Sequence, residues 1–290
     1  MTVHEAYRQL SVTLQVIYEP REANRIASFV IEALTGLNNT QRIVYRDAFF
    51  TRQQQTHFHH IVLDLLSNKP VQYVLQEAHW YGMKLFVNES VLIPRPETEE
   101  LVEWCINEVK KQATDKNYAI LDIGTGSGST AIALQKALPL AAVSAIDVSA
   151  DALQVAAQNA EDQEVPISFF KADILDAEQW ESLPSFDCII SNPPYITEKE
   201  AAQMQENVLQ FEPHLALFVP DNNPLLFYDA ISSFGLQHLN SKGLLFFEIN
   251  ESFGKEVTNL LSAKGYTNVE VRKDMQGKDR MVKGEKPPAP

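Results

Sequence analysis

The sequence is poor in cysteine and has no long apolar run. Only two of its 290 residues are cysteines, Cys105 and Cys188, and Cys188 lies inside the apolar stretch FDCII. Two such cysteines do not make the disulfide framework of a secreted domain, so we expect reduced thiols and a cytoplasmic protein. No apolar run approaches the roughly 18 residues of a membrane span. The first residues, MTVHEAYRQL, lack the basic and apolar regions of a secretory signal.

Basic residues are also scarce relative to acidic ones. The chain has 24 Lys and Arg against 38 Asp and Glu, which gives a formal net charge of −14. Binding to nucleic acid depends on counterion release by basic side chains, and membrane surfaces attract basic segments. The charge therefore argues against nucleic acid or a membrane as a direct partner. The 45% of hydrophobic residues is enough for a substantial core.

The first part of the chain is predicted to be a small bundle of four or five helices. Apolar residues recur at helical spacing over residues 3–68, which predicts a helical domain over residues 1–75. A histidine cluster lies within it, at His57, His59 and His60. No cysteine or carboxylate nearby completes a metal site, so we expect solvated histidines on a helix face and no bound metal.

The pattern then changes to β-structure. Aromatic and β-branched residues surround Gly82, which predicts a β-hairpin between residues 79 and 93, in a linker that spans residues 76–93. Pro94 and Pro96 follow and lead into a helix that is rich in early carboxylates, as helix N-termini commonly are.

From Tyr118 onward, strands and helices alternate. The candidate strands are YAILDIG, AAVSAIDV, ISFFKADI, FDCIISN, LLFFEIN and TNVEVRK, and a last strand near DRMVKGE is close enough to TNVEVRK to pair with it antiparallel. Repeated βα units predict a mostly parallel, doubly wound sheet in an α/β domain over residues 94–284. Residues 285–290, which end in PPAP, are predicted to form a disordered tail.

A glycine-rich turn follows the first of these strands, in the sequence DIGTGSG from Asp122 to Gly128. Glycines allow a tight turn and let a ligand lie against bare main chain. No lysine follows Gly128, which excludes a P-loop, and the third glycine of a dinucleotide fingerprint would fall at Ser129. The pattern instead resembles the S-adenosylmethionine loop of class I methyltransferases. The loop residues that we expect to bind this cofactor are Gly124, Thr125, Gly126, Ser127 and Gly128.

Carboxylates stand at the ends of the first three strands. Asp147 ends the second strand nineteen residues after the last loop glycine, where an acid can accept both ribose hydroxyls of a nucleotide or of S-adenosylmethionine. Asp173 ends the third strand and can meet an adenine amine, while Ile174 can cover the ring. A single strand-end carboxylate is more often a helix cap or a solvated group. Three such carboxylates at the ends of consecutive strands, Asp122, Asp147 and Asp173, favour an adenosine pocket.

The fourth strand ends in IISNPPYI. Proline cannot donate to a sheet ladder, so the strand must stop at Asn192, and ligands of open α/β sheets bind at such strand ends. The alternative interpretation is a proline-marked strand exit with a surface tyrosine. The side-chain carbonyl of Asn192 and the backbone carbonyl of Pro193 can together accept both hydrogens of an NH2 group, held rigid by Pro194. We expect Tyr195 to wall or stack on the planar group, and Asn192 also to lie against the cofactor.

This constellation resembles the amino-methyltransferases that carry an Asn/Asp-Pro-Pro-Tyr/Phe motif. Over nearly its whole length the chain is similar to the release-factor glutamine methyltransferases, the HemK/PrmC family. The segments that carry the resemblance are LIPRPETE (92–99), DIGTGSGS (122–129), SNPPYI (191–196), FEPHLAL (211–217) and KDMQGKDR (273–280).

The resemblance implies a class I methyltransferase fold with an N-terminal helical domain. It implies methyl transfer from S-adenosyl-L-methionine to the glutamine amide in the Gly-Gly-Gln motif of class 1 peptide chain release factors, which modulates translation termination. It also implies that residues 192–195 bind that glutamine and that the helical domain helps to dock the release factor; we expect a monomer. The family usually follows its fifth strand with Glu-Ile-Gly, whereas this chain has Asn250 at the third position.

The motif contains no cysteine or histidine, so we expect direct in-line displacement and not covalent catalysis. Two alternatives stay open. One is a methyltransferase that acts on an exocyclic amine of a flipped nucleic-acid base, against which the net charge argues. The other is a non-catalytic adaptor with a vestigial α/β domain, against which the intact glycine loop and the Asn-Pro-Pro-Tyr motif argue.

Overall fold

The computed structural model describes residues 1–112 and 117–288. The fold divides into two compact units. One consists of Met1–Glu77 together with Gln205–Phe211, and the other consists of Ala78–Met204 together with Glu212–Pro290.

The first unit is helical, as the sequence predicts. Its helices are α1 (Val3–Leu14), α2 (Pro20–Thr35), α3 (Asn39–Val44), α4 (Arg52–Leu66) and α5 (Val71–Leu75). Helices α1, α3 and α4 each begin with a capping box, in which the N-cap side chain and the third helical residue satisfy each other's backbone N–H groups. Helix α2 ends at Gly36, whose φ of 71° suits a left-handed cap. Leu10, Val30, Ile31 and Phe58 are fully buried in its core.

The predicted hairpin consists of β1 (Glu77–Trp80) and β2 (Met83–Phe86). Its two-residue turn has positive φ at both Tyr81 and Gly82, 49° and 69°, which is the pattern of a tight hairpin turn that matches the twist of the strands. The segment is more than a linker, because Trp80, Met83 and Leu85 lie in a hydrophobic core of the second unit.

The second unit is built on a seven-stranded sheet. Its strands are β3 (Ala119–Ile123), β4 (Ala142–Asp147), β5 (Ser168–Lys171), β6 (Phe186–Ser191), β9 (Leu239–Glu248), β10 (Thr267–Lys273) and β11 (Asp279–Glu285). Their order across the sheet is β10-β11-β9-β6-β3-β4-β5. Strand β11 runs antiparallel to β9 and β10, and the other pairs are parallel. The predicted mostly parallel sheet is confirmed, including the antiparallel pairing of the last two strands.

Helices cover both faces of this sheet. They are α6 (Pro96–Gln112), α7 (Ser129–Ala137), α8 (Ala150–Asp162), α10 (Leu226–His238) and α11 (Gly254–Ala263). On one face Trp104 packs edge-on against Phe246, with ring centroids 5.4 Å apart. On the other face Tyr228 packs in the same way against Phe247 at 5.2 Å. Consecutive residues of β9 thus point into opposite cores, as the period of a buried strand requires.

Two parts of the second half were not expected from the sequence. A short parallel pair, β7 (Ile196–Thr197) and β8 (Phe218–Val219), brackets an excursion that contains α9 (Glu206–Phe211). The predicted tail also begins too early, because Glu285 ends β11 and Lys286 exchanges backbone hydrogen bonds with Gly243 and Lys242. Residues 289 and 290 of that tail lie outside the described residues. Within the described ranges, no helix is both long and apolar enough to cross a membrane.

Candidate functional site

The register of the sheet brings three predicted site residues to one place. Ile123 of β3 pairs with Ile146 of β4 on one side and with Ser191 of β6 on the other. Gly124, Asp147 and Asn192 each come directly after one of these three paired residues. They therefore lie side by side at the carboxyl edge of the sheet. The chain order reverses between β3 and β6, and this switch point is where open α/β sheets bind ligands.

A cavity lies at this edge of the sheet. The predicted site residues that line it are Gly124, Gly126, Asp147, Asp173, Ile174, Asn192, Pro193 and Pro194. Thr125, Ser127, Gly128 and Tyr195 are not among its lining residues. The structure therefore brings eight of these residues to one cavity, and the other four are their neighbours in the chain.

The glycine loop has the left-handed backbone that its sequence predicts. Gly124 and Gly126 have φ of 74° and 53°, and a Cβ added at either would meet no atom within 4 Å. Bare backbone therefore faces open space at the two glycines that line the cavity. Gly128, at φ 80°, is instead closed in, because its added Cβ would come within 3.0 Å of Ala156 Cβ. This third glycine allows α7 and α8 to approach each other.

Asp122 lies beneath this loop and does not line the cavity. It is 2% exposed, and the Thr125 hydroxyl donates to its Oδ2 at 2.6 Å. Burial raises the pKa of Asp122 to about 7, against which the hydrogen bond from Thr125 acts. The expectation that three strand-end acids share one pocket is thus corrected for Asp122. Its side chain shapes the loop from behind, because Asp122 pairs with Ala145 of β4 and so lies two residues before the position of Asp147 at the edge of the sheet.

Asp147 stands at the cavity with its carboxylate fixed by backbone groups. Oδ2 accepts the Gly126 N–H at 2.9 Å, and Oδ1 accepts the Ser149 N–H at 2.9 Å. Burial raises its pKa, and these backbone hydrogen bonds act in the opposite direction. A carboxylate has about four acceptor sites, so two oxygens held in this way can each still accept a ligand hydroxyl.

Asp173 and Ile174 line a neighbouring part of the cavity wall. Oδ1 of Asp173 accepts the Leu175 N–H at 2.9 Å, and the Asp173 N–H donates to Gln179. Ile174 is 7% exposed, with its side chain in a core cluster that also contains Trp180. The local turn thus aligns a half-buried carboxylate beside an apolar side chain at the carboxyl end of β5.

The amide of Asn192 is held in one orientation. Its Nδ2 donates to Thr98 Oγ1 at 3.1 Å, and the Thr98 hydroxyl donates to Glu248 Oε2 at 2.6 Å. The Nδ2 end is therefore engaged with protein, whereas Oδ1 has no hydrogen-bond partner among the described residues and is the end of the amide that remains for a ligand at the cavity, which Asn192 lines. Pro193 follows with a carbonyl that has no N–H of its own residue beside it, since proline lacks one.

Tyr195 was expected to wall a substrate, and the structure ties its hydroxyl to the core. Tyr195 Oη donates to Glu248 Oε1 at 3.0 Å, and burial raises the pKa of this phenol. Glu248 is only 1% exposed. Its two carboxylate oxygens accept hydrogen bonds from the hydroxyls of Thr98 and Tyr195. One buried carboxylate thus supports both ends of the Asn-Pro-Pro-Tyr motif.

Sequence reasoning missed three further walls of the cavity. Ser90–Leu92 and Pro213–Ala216 contribute lining residues, and Phe227 and Ile231, one turn apart on α10, add an apolar face. The chain next to the first two of these walls is linked by an ion pair between Arg95, which is one-third exposed, and the buried Glu212: Arg95 Nη2 lies 2.7 Å from Glu212 Oε1, while Oε2 accepts the Ile93 N–H. The signal was present in the LIPRPETE and FEPHLAL motifs, to which the sequence alone assigned no chemistry.

Asn250 stands where the family usually has glycine, and its side chain supports the loop after the motif. Nδ2 donates to Glu200 Oε1 at 3.0 Å and approaches the Tyr195 carbonyl at 3.4 Å, while Oδ1 accepts the Ser252 N–H at 2.9 Å. Glu200 in turn accepts from Thr197. The departure from the family pattern therefore adds contacts to the segment that follows Tyr195.

The three predicted histidines of the helical unit lie on one helix. His57, His59 and His60 are exposed on α4, and no group of three metal-ligating side chains occurs in the part of the chain that the structure describes.

Two regions of the chain match known protein families. Residues 5–75 match the family described as PrmC N-terminal domain, and residues 104–214 match the one described as Methyltransferase small domain. These matches fall on the helical unit and on the part of the second unit that holds the glycine loop and the Asn-Pro-Pro-Tyr motif.

The chain is also similar to curated proteins over nearly its full length. It is 43% identical to a release factor glutamine methyltransferase of Flavobacterium psychrophilum, over 98% of this chain and 99% of that protein. It is 38% identical to the protein of that name from Bacteroides thetaiotaomicron, over 93% and 95%. A third protein of that name, from Lactococcus lactis, is 38% identical over 96% and 97%.

Solved structures share the fold at much lower identity. The hMettl16 catalytic domain in complex with the MAT2A 3′UTR hairpin 6 has a TM-score of 0.55 at 15% identity, covering 87% of this chain and 86% of that one. A methyltransferase from Pyrococcus furiosus has a TM-score of 0.50 at 17% identity, covering 82% and 100%. At these identities the likeness concerns the fold alone.

Proposed function

Because this chain belongs to the family of the release factor glutamine methyltransferases, we propose that it methylates the glutamine side-chain amide in the Gly-Gly-Gln motif of class 1 peptide chain release factors. The methyl donor is S-adenosyl-L-methionine. The observation that carries the proposal is the Asn192 amide, whose Nδ2 is bound to Thr98 so that its Oδ1 is the end left for a ligand at the cavity.

The residues at the carboxyl edge of the sheet fit this donor. The open backbone at Gly124 and Gly126 can lie against its amino-acid portion, and the fixed carboxylate of Asp147 can accept both ribose hydroxyls. Asp173 can accept from the adenine amine, with Ile174 against the ring. Thr125, Ser127 and Gly128 serve this site by shaping the loop. When bound, the cofactor supplies an electrophilic methyl group on a sulfonium.

Asn192 and Pro193 present two acceptors to a planar NH2 group. An amide nitrogen is a poor nucleophile, because its lone pair is delocalised into the carbonyl. Two carbonyl oxygens that accept its hydrogens orient the nitrogen and stabilise the positive charge that develops on it during transfer. Such orientation can contribute about 7–11 kcal/mol, and fixed dipoles add to it. No nearby base is needed, since the proton can leave after transfer.

The helical unit is proposed to dock the release factor. Over residues 1–77 it carries seven acidic and seven basic side chains, so the excess of acid lies in the rest of the chain. Its exposed apolar side chains include a short stretch in which Val44, Tyr45 and Phe49 are 69%, 54% and 76% exposed. A neutral surface with exposed aromatic residues suits a protein partner better than nucleic acid. We further propose a monomer that acts in the cytoplasm, where reduced thiols such as Cys105 and Cys188 persist.

The direct test is mass spectrometry of a purified class 1 release factor after incubation with the enzyme and S-adenosyl-L-methionine. We expect one added methyl group, located by fragmentation on the glutamine of Gly-Gly-Gln and absent from a factor in which that glutamine is alanine. Methylation of DNA or RNA and not of the factor would instead support the exocyclic-amine alternative. Cofactor binding without transfer to any substrate would favour the adaptor.

A further inference from the structure

We infer that Thr98 and Glu248 are positioning residues that determine which end of the Asn192 amide faces the cavity. The inference rests on the proposed function, because it concerns the acceptor offered to the substrate NH2. The three side chains form a single chain of hydrogen bonds: Asn192 Nδ2 to Thr98 Oγ1, and Thr98 Oγ1 to Glu248 Oε2.

The direction of this chain is set at its buried end. Both hydroxyls that contact Glu248 donate to it, Thr98 to Oε2 and Tyr195 to Oε1, which is the arrangement that a carboxylate without a proton of its own requires. Thr98 has one hydroxyl proton, and this proton is committed to Glu248 at 2.6 Å. Toward Asn192 the Thr98 oxygen can then only accept, so it selects the NH2 end of the amide. The carbonyl end of Asn192 is left for the cavity.

No solvent is available to replace these contacts. Thr98 is 5% exposed and Glu248 1% exposed, so loss of either partner would leave a buried polar group without one. The two ends of an asparagine amide have nearly the same size, and packing alone distinguishes them poorly. If the Asn192 amide were flipped, its Oδ1 would face the lone pair of Thr98 Oγ1, which repels it. The Asn192 NH2 would then face the NH2 of the substrate, and neither group could accept a hydrogen bond.

The same chain also strengthens the acceptor. Hydrogen bonds in series polarise one another, and the effect is larger in a medium of low dielectric. A negative charge at Glu248 draws the Thr98 proton, which makes Thr98 Oγ1 a better acceptor for Asn192 Nδ2–H. This shifts electron density toward Asn192 Oδ1, the atom proposed to face developing positive charge.

Glu248 is surrounded by few charged groups. Tyr195 of the β6–β7 loop donates to it, Arg280 of β11 and Glu97 of α6 act on it electrostatically, and the Tyr228 hydroxyl of α10 donates to its backbone carbonyl. Burial raises the pKa of this carboxyl, while Thr98, Tyr195 and Arg280 act to lower it. Protonation of Glu248 would release the Thr98 hydroxyl from its fixed direction. The rate of methyl transfer should therefore fall as the pH falls through this pKa.

The test compares Thr98→Val, Thr98→Ser and Glu248→Gln in the full-length enzyme, with Thr258→Val as a matched control whose hydroxyl only bonds a carbonyl of its own helix. Single-turnover methylation of a Gly-Gly-Gln-bearing release factor should slow about tenfold or more in Thr98→Val. Affinity for S-adenosyl-L-methionine should not change. Thr98→Ser should restore most of the rate. Glu248→Gln should lower the rate and remove the acidic limb of the pH profile.

A second readout does not depend on turnover. The Asn192 side-chain NH2, assigned in NMR spectra by its absence from Asn192→Ala, should exchange slowly with solvent in the wild type and in Thr98→Ser. It should exchange quickly in Thr98→Val. Equal exchange and equal rates in wild type and Thr98→Val would overturn the inference. If the wild type methylates no release factor, the proposed function fails, while the exchange measurement still decides the orientation of Asn192.

Discussion

The side chain of Asn192 donates to the hydroxyl of Thr98 across 3.1 Å, although the two residues are 94 positions apart in the chain. The contact joins two of the segments that carry the resemblance to the family, LIPRPETE and SNPPYI. In the proposed mechanism the first of these segments supplies the partner that orients the acceptor in the second.

Replacing Asp147 should weaken cofactor binding. Asp147→Ala removes the proposed acceptor of the ribose hydroxyls, and a hydrogen bond to a charged group contributes roughly 1.5–3 kcal/mol. Calorimetric titration with S-adenosyl-L-methionine should show an affinity at least about tenfold lower. Asp151→Ala, an exposed acid in the first turn of α8, is the control and should leave the affinity unchanged. Wild-type affinity in a folded Asp147→Ala protein would refute the assignment.

A charge on the exposed apolar stretch of the helical unit should impair docking but not chemistry. In Phe49→Asp we expect KM for intact release factor to rise about tenfold or more, since the few residues that dominate an interface each contribute about 2 kcal/mol or more. The rate with a short Gly-Gly-Gln peptide should not change. Leu140→Asp, at 78% exposure in the second unit, is the matched control to Phe49 at 76%. Unaltered kinetics of Phe49→Asp with the intact factor would argue against docking at this stretch.

Asp122 should make the stability of the protein depend on pH. The pKa of Asp122 is about 7 in the folded protein, against its ordinary value of 3.8. Between these two pH values the folded protein keeps a proton on Asp122 that the unfolded chain has lost. The free energy of unfolding should therefore decrease as the pH rises from about 4 to about 7, by up to about 4 kcal/mol from this group.

Asp122→Asn keeps an acceptor for Thr125 and cannot titrate. Denaturant unfolding should show similar stability of variant and wild type near pH 4, and a more stable variant at pH 8. The exposed Asp162→Asn serves as the control. Parallel pH dependences of Asp122→Asn and wild type would show that Asp122 is ionised throughout this range.

Most of the fold could be predicted from the sequence, because its signals are local. Alternating apolar stretches and the glycine loop mark β3 to β6, and once those strands pair in parallel, their ends meet at one edge. Asp147 and Asn192 follow directly from that geometry. The hairpin was recognised from Gly82, while its packing through Trp80 into the second unit depends on tertiary contacts that no local pattern encodes.

The support of the site was harder to predict for the same reason. Asp122 precedes the glycine loop much as Asp147 ends its strand, and only the register of β3 against β4, which pairs Asp122 with Ala145, decides that Asp122 is buried behind the loop. Tyr195 follows the prolines, and only the position of Glu248 on β9 decides that its hydroxyl turns inward. The roles of Thr98 and Asn250 likewise rest on partners far away in the chain.

The central claim is that the side-chain carbonyl of Asn192 holds the NH2 of the substrate glutamine. The most direct measurement is single-turnover methyl transfer to a Gly-Gly-Gln-bearing release factor by wild type, Asn192→Ala and Asn192→Asp, with cofactor affinity determined for each. We predict that Asn192→Ala abolishes transfer with little effect on cofactor affinity. Asn192→Asp should keep partial activity, about ten- to a hundredfold above the alanine variant, because a carboxylate still accepts the N–H. Wild-type rates in Asn192→Ala would contradict the account.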